Sequence, residues 1–91
     1  MTPEQKEYLR NAIVTFTGAR PLQSFTVSAL SNFIRRDQLV DFEFSEQDTR
    51  EALEVLQGFG YIQKMEPTDI GVITTWKASH TGIIRYERAK G

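Results

Sequence analysis

Hydrophobic and polar positions alternate along this chain with two different periods, and the switch between them divides it. From Leu9 the apolar residues Leu9, Ala12, Ile13 and Phe16 recur at helical spacing, which places one stripe on one face of a first helix. Thr2-Pro3-Glu4-Gln5 opens that helix: Thr2 caps, Pro3 suits the first helical position and Gln5 completes a capping box. Gly18 and Pro21 end it. Phe25 falls in a very short extended piece. Thr26 then caps a second helix with Val27, Leu30, Phe33 and Ile34 on its inner face and Arg35 and Arg36 in its last turn. Asp37 to Phe44 has no helical period and reads as a connection with some extended character. Ser45 with Asp48 caps a third helix, which turns Thr49, Ala52, Leu53 and Leu56 inward and Gln47, Arg50, Glu51 and Glu54 outward; Gly58 and Gly60 stop it.

Beyond Gly60 the period falls to two. Tyr61 to Glu66 alternates, Pro67 to Gly71 carries turn chemistry, and Val72 to Ala78 alternates again, which predicts a β-hairpin. Ser79 caps a fourth helix holding Ile83, Ile84, Tyr86 and Ala89. A strand over Ile83 to Glu87 is the rival reading, because the β-branched pair favours extended backbone. The pattern predicts one shared core containing Leu30, Phe33, Leu53, Leu56 and Trp76.

Three helices, a two-stranded hairpin and a short last helix is the order of a winged helix-turn-helix domain, and two stretches resemble that family locally. Ser45 to Ile62 is similar to its third helix and exit, with leucines (Leu53, Leu56) before a glycine turn and an apolar pair (Tyr61, Ile62) at the start of the wing. Trp76-Lys77-Ala78-Ser79-His80-Thr81-Gly82 resembles its aromatic strand end, hydroxyl cap and glycine before the last helix. The resemblance implies an α+β fold, a single small winged-helix domain over residues 1–91 with a three-helix core, a β-hairpin wing and a short C-terminal helix. The connection from Arg36 to Ser45 is longer than a tight helix-turn-helix turn, so the angle between the second and third helices does not follow from the resemblance.

Composition narrows the chemistry. At 91 residues, 40% hydrophobic and 25% charged, the chain suits one ordered domain. It has no cysteine, which removes disulfides and cysteine-ligated zinc, and one histidine, His80, better read as a polar first-turn residue than as a metal ligand. No nucleophile–base spacing or glycine-rich phosphate loop occurs, so neither an enzyme nor a cofactor is expected. Met1 to Gln5 lacks a basic-then-apolar signal and no apolar run approaches spanning length, so the expectation is a cytoplasmic protein with no membrane partner.

The net charge of −1 provides no global field for nucleic acid, but charge is unevenly spread. Residues 45–60 carry Arg50 against Glu46, Asp48, Glu51 and Glu54; residues 61–91 carry five Lys/Arg against three Asp/Glu. In DNA-binding members of the family the third helix enters the major groove and the wing touches backbone. Carried over, Gln47 and Arg50 are base readers, opposed by Glu51 and Glu54, which phosphates repel. The competing reading of that helix is a solvated face with pairs such as Glu46 to Arg50. Lys64, Lys77, Arg85 and Arg88, with Arg35, Arg36 and Lys90, offer phosphate contacts; equally, they are ordinary helix-end and strand-edge charges. Trp76 and Tyr61 stack on a base or partner, or cover the core. Two functions follow: a DNA-binding transcriptional regulator of double-stranded DNA, or a protein-interaction module whose acidic third helix meets a basic protein partner. Tyr8 and Val14 beside the first stripe, and Ile83 and Ile84 on a terminal helix, suggest an apolar face for a homodimer.

Overall fold

The computed structural model describes residues 1–65 and 73–90, with Lys90 described as backbone. Its elements are α1 (Pro3–Gly18), α2 (Val27–Arg36), α3 (Glu46–Phe59), β1 (Ile62–Met65), β2 (Thr75–Ala78) and α4 (His80–Lys90). The fold is α+β and of the winged-helix type: α1, α2 and α3 enclose a core, the β1–β2 hairpin forms the wing, and α4 returns to lie on α1. The turn expected over Pro67 to Gly71 lies outside the described residues.

Each helix begins as its sequence dictates. The Gln5 amide donates to Thr2 Oγ1 at 3.1 Å while the Thr2 amide donates to Gln5 Oε1 at 3.0 Å. Ser45 and Asp48 repeat this reciprocal box at α3, and Thr26 Oγ1 accepts from the Ala29 amide at 3.0 Å at α2. Two amides that α1 and α3 would otherwise leave unpaired are thus satisfied at each start. At α4, Ser79 Oγ accepts from the Gly82 amide at 3.0 Å and donates to the Gly60 carbonyl, tying the start of the last helix to the exit of the third. Residues 80–90 are therefore helix, and the strand reading of Ile83 to Glu87 is set aside.

The helix ends depart further from expectation. Gly58 does not stop α3 but lies inside it; Gly60, at φ 82°, makes the left-handed cap, with the Tyr61 amide donating to the Leu56 carbonyl at 2.9 Å. The same arrangement closes α2 without glycine: Gln38 adopts φ 52°, and the Leu39 amide donates to the Ile34 carbonyl at 3.1 Å. Gly18 ends α1, but its lack of a side chain serves packing, since a Cβ there would run into the Tyr86 side chain of α4.

The expected stripes are inward. Leu9, Ala12, Ile13 and Phe16 of α1, Leu30 and Ile34 of α2, and Thr49, Ala52, Leu53 and Leu56 of α3 are buried; Val27 and Phe33 are half-buried against the same core. Trp76 and Ile62 bring the hairpin into it. Phe16, Phe25 and Phe33 form an aromatic triangle with centroids 5.2, 5.4 and 6.0 Å apart. Phe25 also exchanges two backbone hydrogen bonds of 2.8 Å with Trp76, so the expected extended piece is a single bridge to β2.

Two expectations need correction. Asp37 to Phe44 forms turns and bends and no strand; it is held instead by burial of Phe44 and partial burial of Val40 and Phe42. Val14 is not left exposed, because α4 packs over that side of α1 and buries it.

Replacing Leu53, which is wholly buried, with alanine is expected to lower stability by ~2–5 kcal/mol in denaturant unfolding. The two left-handed caps predict opposite signs in the same measurement. Gln38→Gly should stabilise by about 0.5–1 kcal/mol, and Gly60→Ala should destabilise by about 1 kcal/mol.

Candidate nucleic-acid interface

Burial of Thr49, Ala52, Leu53 and Leu56 forces the opposite face of α3 outward, and Gln47, Arg50, Glu51 and Glu54 are all exposed. That face is not uniform. Arg50 and Glu54 line a groove of about 520 Å³ whose other walls are Thr26 and Val27 at the start of α2 and Lys64, Ile73, Thr74 and Trp76 of the wing. Glu51 lies on the other flank, lining a small hollow with Lys6 and Arg10 of α1 and with Asp48. Gln47 sits between, its side-chain amide donating to Glu51 at 3.3 Å. The expected Glu46–Arg50 pair does not form: among the described residues the one ion pair joins Arg36 to Asp37 at 3.1 Å.

The hairpin register separates the two wing lysines. Lys64 pairs with Trp76, whereas Gln63 pairs with Lys77. Alternation therefore sends Lys64 to the face that carries Trp76 and Lys77 to the other. Lys64 reaches over the Trp76 ring, 5.6 Å from its centroid, which keeps its stem on apolar surface and its ammonium at the groove. Trp76 is itself buried and Tyr61 half-buried, so both are core-covering residues rather than open stacking platforms.

The remaining cations lie elsewhere. Arg85 and Arg88 line a second groove, of about 580 Å³, between α1 and α4, with the Arg85 guanidinium 5.0 Å from the Tyr61 ring centroid. Arg35 donates from Nη2 to the Phe44 carbonyl at 2.8 Å and covers that ring at 4.7 Å; it fastens the α2–α3 connection to α2. Arg36 bonds Asp37 and lies 4.6 Å from the Phe33 ring centroid. The structure thus gathers Arg50 and Lys64 and does not gather Lys77, Arg85, Arg88, Arg35 or Arg36 with them. What residue reasoning missed is Thr26, together with the start of α2, as a groove wall. The capping threonine was legible, but its position opposite Arg50 depends on how α2 crosses α3.

Among the described residues no three His, Asp or Glu side chains gather as a metal site requires, and no helix is long and apolar enough to cross a membrane. His80 is the exposed first residue of α4.

No protein-family model matches the chain, and no curated protein is significantly similar to it. Among solved structures it is similar to ZitR of Lactococcus lactis, determined as a double mutant, with a TM-score of 0.70 at 15% sequence identity. The match covers 90% of this chain and 49% of ZitR, so the chain spans about half the length of that structure. At this identity the likeness is one of fold.

If Arg35 is a structural tether, Arg35→Met should speed amide exchange from Val40 to Ser45 and lower stability by about 1–3 kcal/mol, the usual worth of a charged hydrogen bond. Its effect on any ligand affinity should follow only from that loosening.

Proposed function

We propose that residues 1–91 act as one winged-helix domain that binds double-stranded DNA without itself catalysing a reaction, as a small transcriptional regulator does. The observation that carries this reading is the groove between α3, the start of α2 and the wing, where Arg50 and Lys64 converge. A guanidinium on an exposed helix face can take guanine O6 and N7 together, and Gln47 suits adenine. The start of α2 adds a second phosphate-compatible feature, because a helix N-terminus is the positive end of its dipole. The sorting of carboxylates supports the same reading. Glu51 lies toward Lys6 and Arg10 and away from the groove, so among the described residues Glu54 is the one carboxylate in the groove lining.

One observation favours a second reading. The α1-side flank of α3 exposes Val55 and Phe59, and Val55 borders a hollow where Glu51 and Asp48 face Lys6 and Arg10, an apolar and charged surface suited to a protein partner.

Titration of random duplex at low and moderate salt tests the proposal. Affinity should fall steeply with salt, and Lys64→Ala should reduce the slope by about one counterion equally for every sequence. Lys77→Ala, on the other hairpin face, should change it less. Arg50→Ala should relax preference at one base position at a cost of about 1–3 kcal/mol. Glu54→Lys should tighten non-specific binding more than Glu51→Lys does. No binding by the unaltered chain at low salt would overturn the DNA reading; loss of a protein partner on Glu51→Lys would establish the other.

A further inference from the structure

Helix α1 carries a third stripe besides its core and its α3 side. Glu4, Glu7, Tyr8, Asn11, Thr15 and Gly18 follow helical spacing and share one face. Its C-terminal half meets α4, where Gly18 lies under Tyr86 and the exposed Thr15 borders the α1–α4 groove. Its N-terminal half is bare: Glu4, Glu7, Tyr8 and Asn11 line a shallow hollow, and the Tyr8 ring is 64% exposed. Asn11 lines both this hollow and the groove, so the two adjoin.

Their charges are opposite. Among the described residues, the bare half of the stripe carries two carboxylates and no cation in its lining, while the groove carries Arg85 and Arg88 and no carboxylate. The other charges of α1 do not disturb this division, because Lys6 and Arg10 point to the hollow shared with Asp48 and Glu51 of α3. Glu87 of α4 is exposed and lies outside the groove lining. An acidic patch bearing an exposed aromatic ring thus adjoins a basic groove with an apolar floor of Val14 and Ile84, with Asn11 at the junction.

We propose that this face docks a second copy of the chain in a two-fold, self-complementary pair centred near Asn11. Rotation about such an axis lays the acidic half of each α1 against the α1–α4 groove of the other copy. Glu4 and Glu7 then meet Arg85 and Arg88 twice over, and each Tyr8 ring enters the partner's groove. Two-fold pairing suits such a surface, because a patch adjoining its own complement makes both contacts at once within a single pair. The surface involved is separate from the groove holding Arg50 and Lys64, so the proposal stands whether or not the chain binds DNA.

Sedimentation equilibrium of the full chain, without DNA, tests it through a charge swap. The unaltered chain should sediment as a dimer whose dissociation constant rises with salt. Glu4→Arg with Glu7→Arg gives a face that is positive throughout, and Arg85→Glu with Arg88→Glu gives one negative throughout; each should weaken self-association by on the order of tenfold or more. Mixed in equal amounts, the two variants should form a heterodimer of near-original affinity, since both contacts are again complementary. That recovery excludes misfolding as the cause of the separate losses. Should a doubled reversal unfold, as read by circular dichroism, the single changes Glu7→Arg and Arg88→Glu carry the same comparison at exposed positions. A monomeric unaltered chain at every accessible concentration would overturn the proposal, as would a dimer indifferent to both reversals or a mixture that stays monomeric.

Discussion

Helices α2 and α3 share, besides their apolar stripes, a contact between two buried hydroxyl groups, and the placement of the groove depends on that contact. Ser31 Oγ and Thr49 Oγ1 lie 2.8 Å apart with both residues fully buried. Each is also within reach of a carbonyl four positions earlier on its own chain, Val27 at 2.8 Å and Ser45 at 3.4 Å, so no buried hydroxyl is left unpaired. Small side chains let the two axes approach closely, and a hydrogen bond with directional preference fixes how they do so. A pair of larger apolar residues here would supply more burial but would push the start of α2 away from the exposed face of α3. Thr26 and Arg50 would then no longer share a groove.

From that fixed crossing, the charges of α3 are assigned by which neighbour lies on each flank. The helix has one buried stripe and a broad exposed surface, bordered by α1 on one side and by the wing on the other. Glu51 and Arg50 are consecutive in sequence yet fall on opposite borders, because one residue turns a helix by about 100°. The acidic excess of residues 45–60 is therefore divided, part of it toward Lys6 and Arg10 and part toward Lys64. The same logic gives α1 three faces: one against the core, one toward α3, and one shared between α4 and solvent.

Helix starts, inward stripes and the hairpin were legible because each rests on local physics: a capping oxygen three residues from an amide, or a period set by backbone geometry. Thr2–Gln5 and Ser45–Asp48 are examples in which four residues contain the whole interaction. Three other features were not legible, each for its own reason. The end of α2 uses Gln38 in a conformation that glycine would announce, so no residue type marks it. Ser31 falls on the inner arc of α2 between Val27 and Ile34, but nothing local announces its hydroxyl partner until Thr49 of α3 is laid against it. Gly18 and Gly82 look like turn residues, but they are spent on close packing: a Cβ on Gly82 would strike the Tyr61 carbonyl. The site divides in the same way. Which α3 residues face outward followed from periodicity. Which cations join Arg50 depended on hairpin register and on where α4 lies, and a one-residue change in register would have exchanged Lys64 for another side chain.

Register and helix crossing also decide how much the chain-wide charge of −1 matters to a ligand in the α3–wing groove. At physiological salt, charges separated by more than about 8 Å of solvent are largely screened, so the field in the groove is that of its own walls. Among the described residues those walls carry two cations and one carboxylate, with the positive end of α2 nearby. On the DNA reading this is a weak attractor of phosphate in general. Glu54 subtracts from non-specific affinity at every site on a duplex, while the directional contacts open to Arg50 and Gln47 are realised at few. A carboxylate in that position therefore lowers binding to random sequence more than it lowers discrimination. For a domain that must find one site among a great excess of others, the ratio between the two matters more than the strength of either.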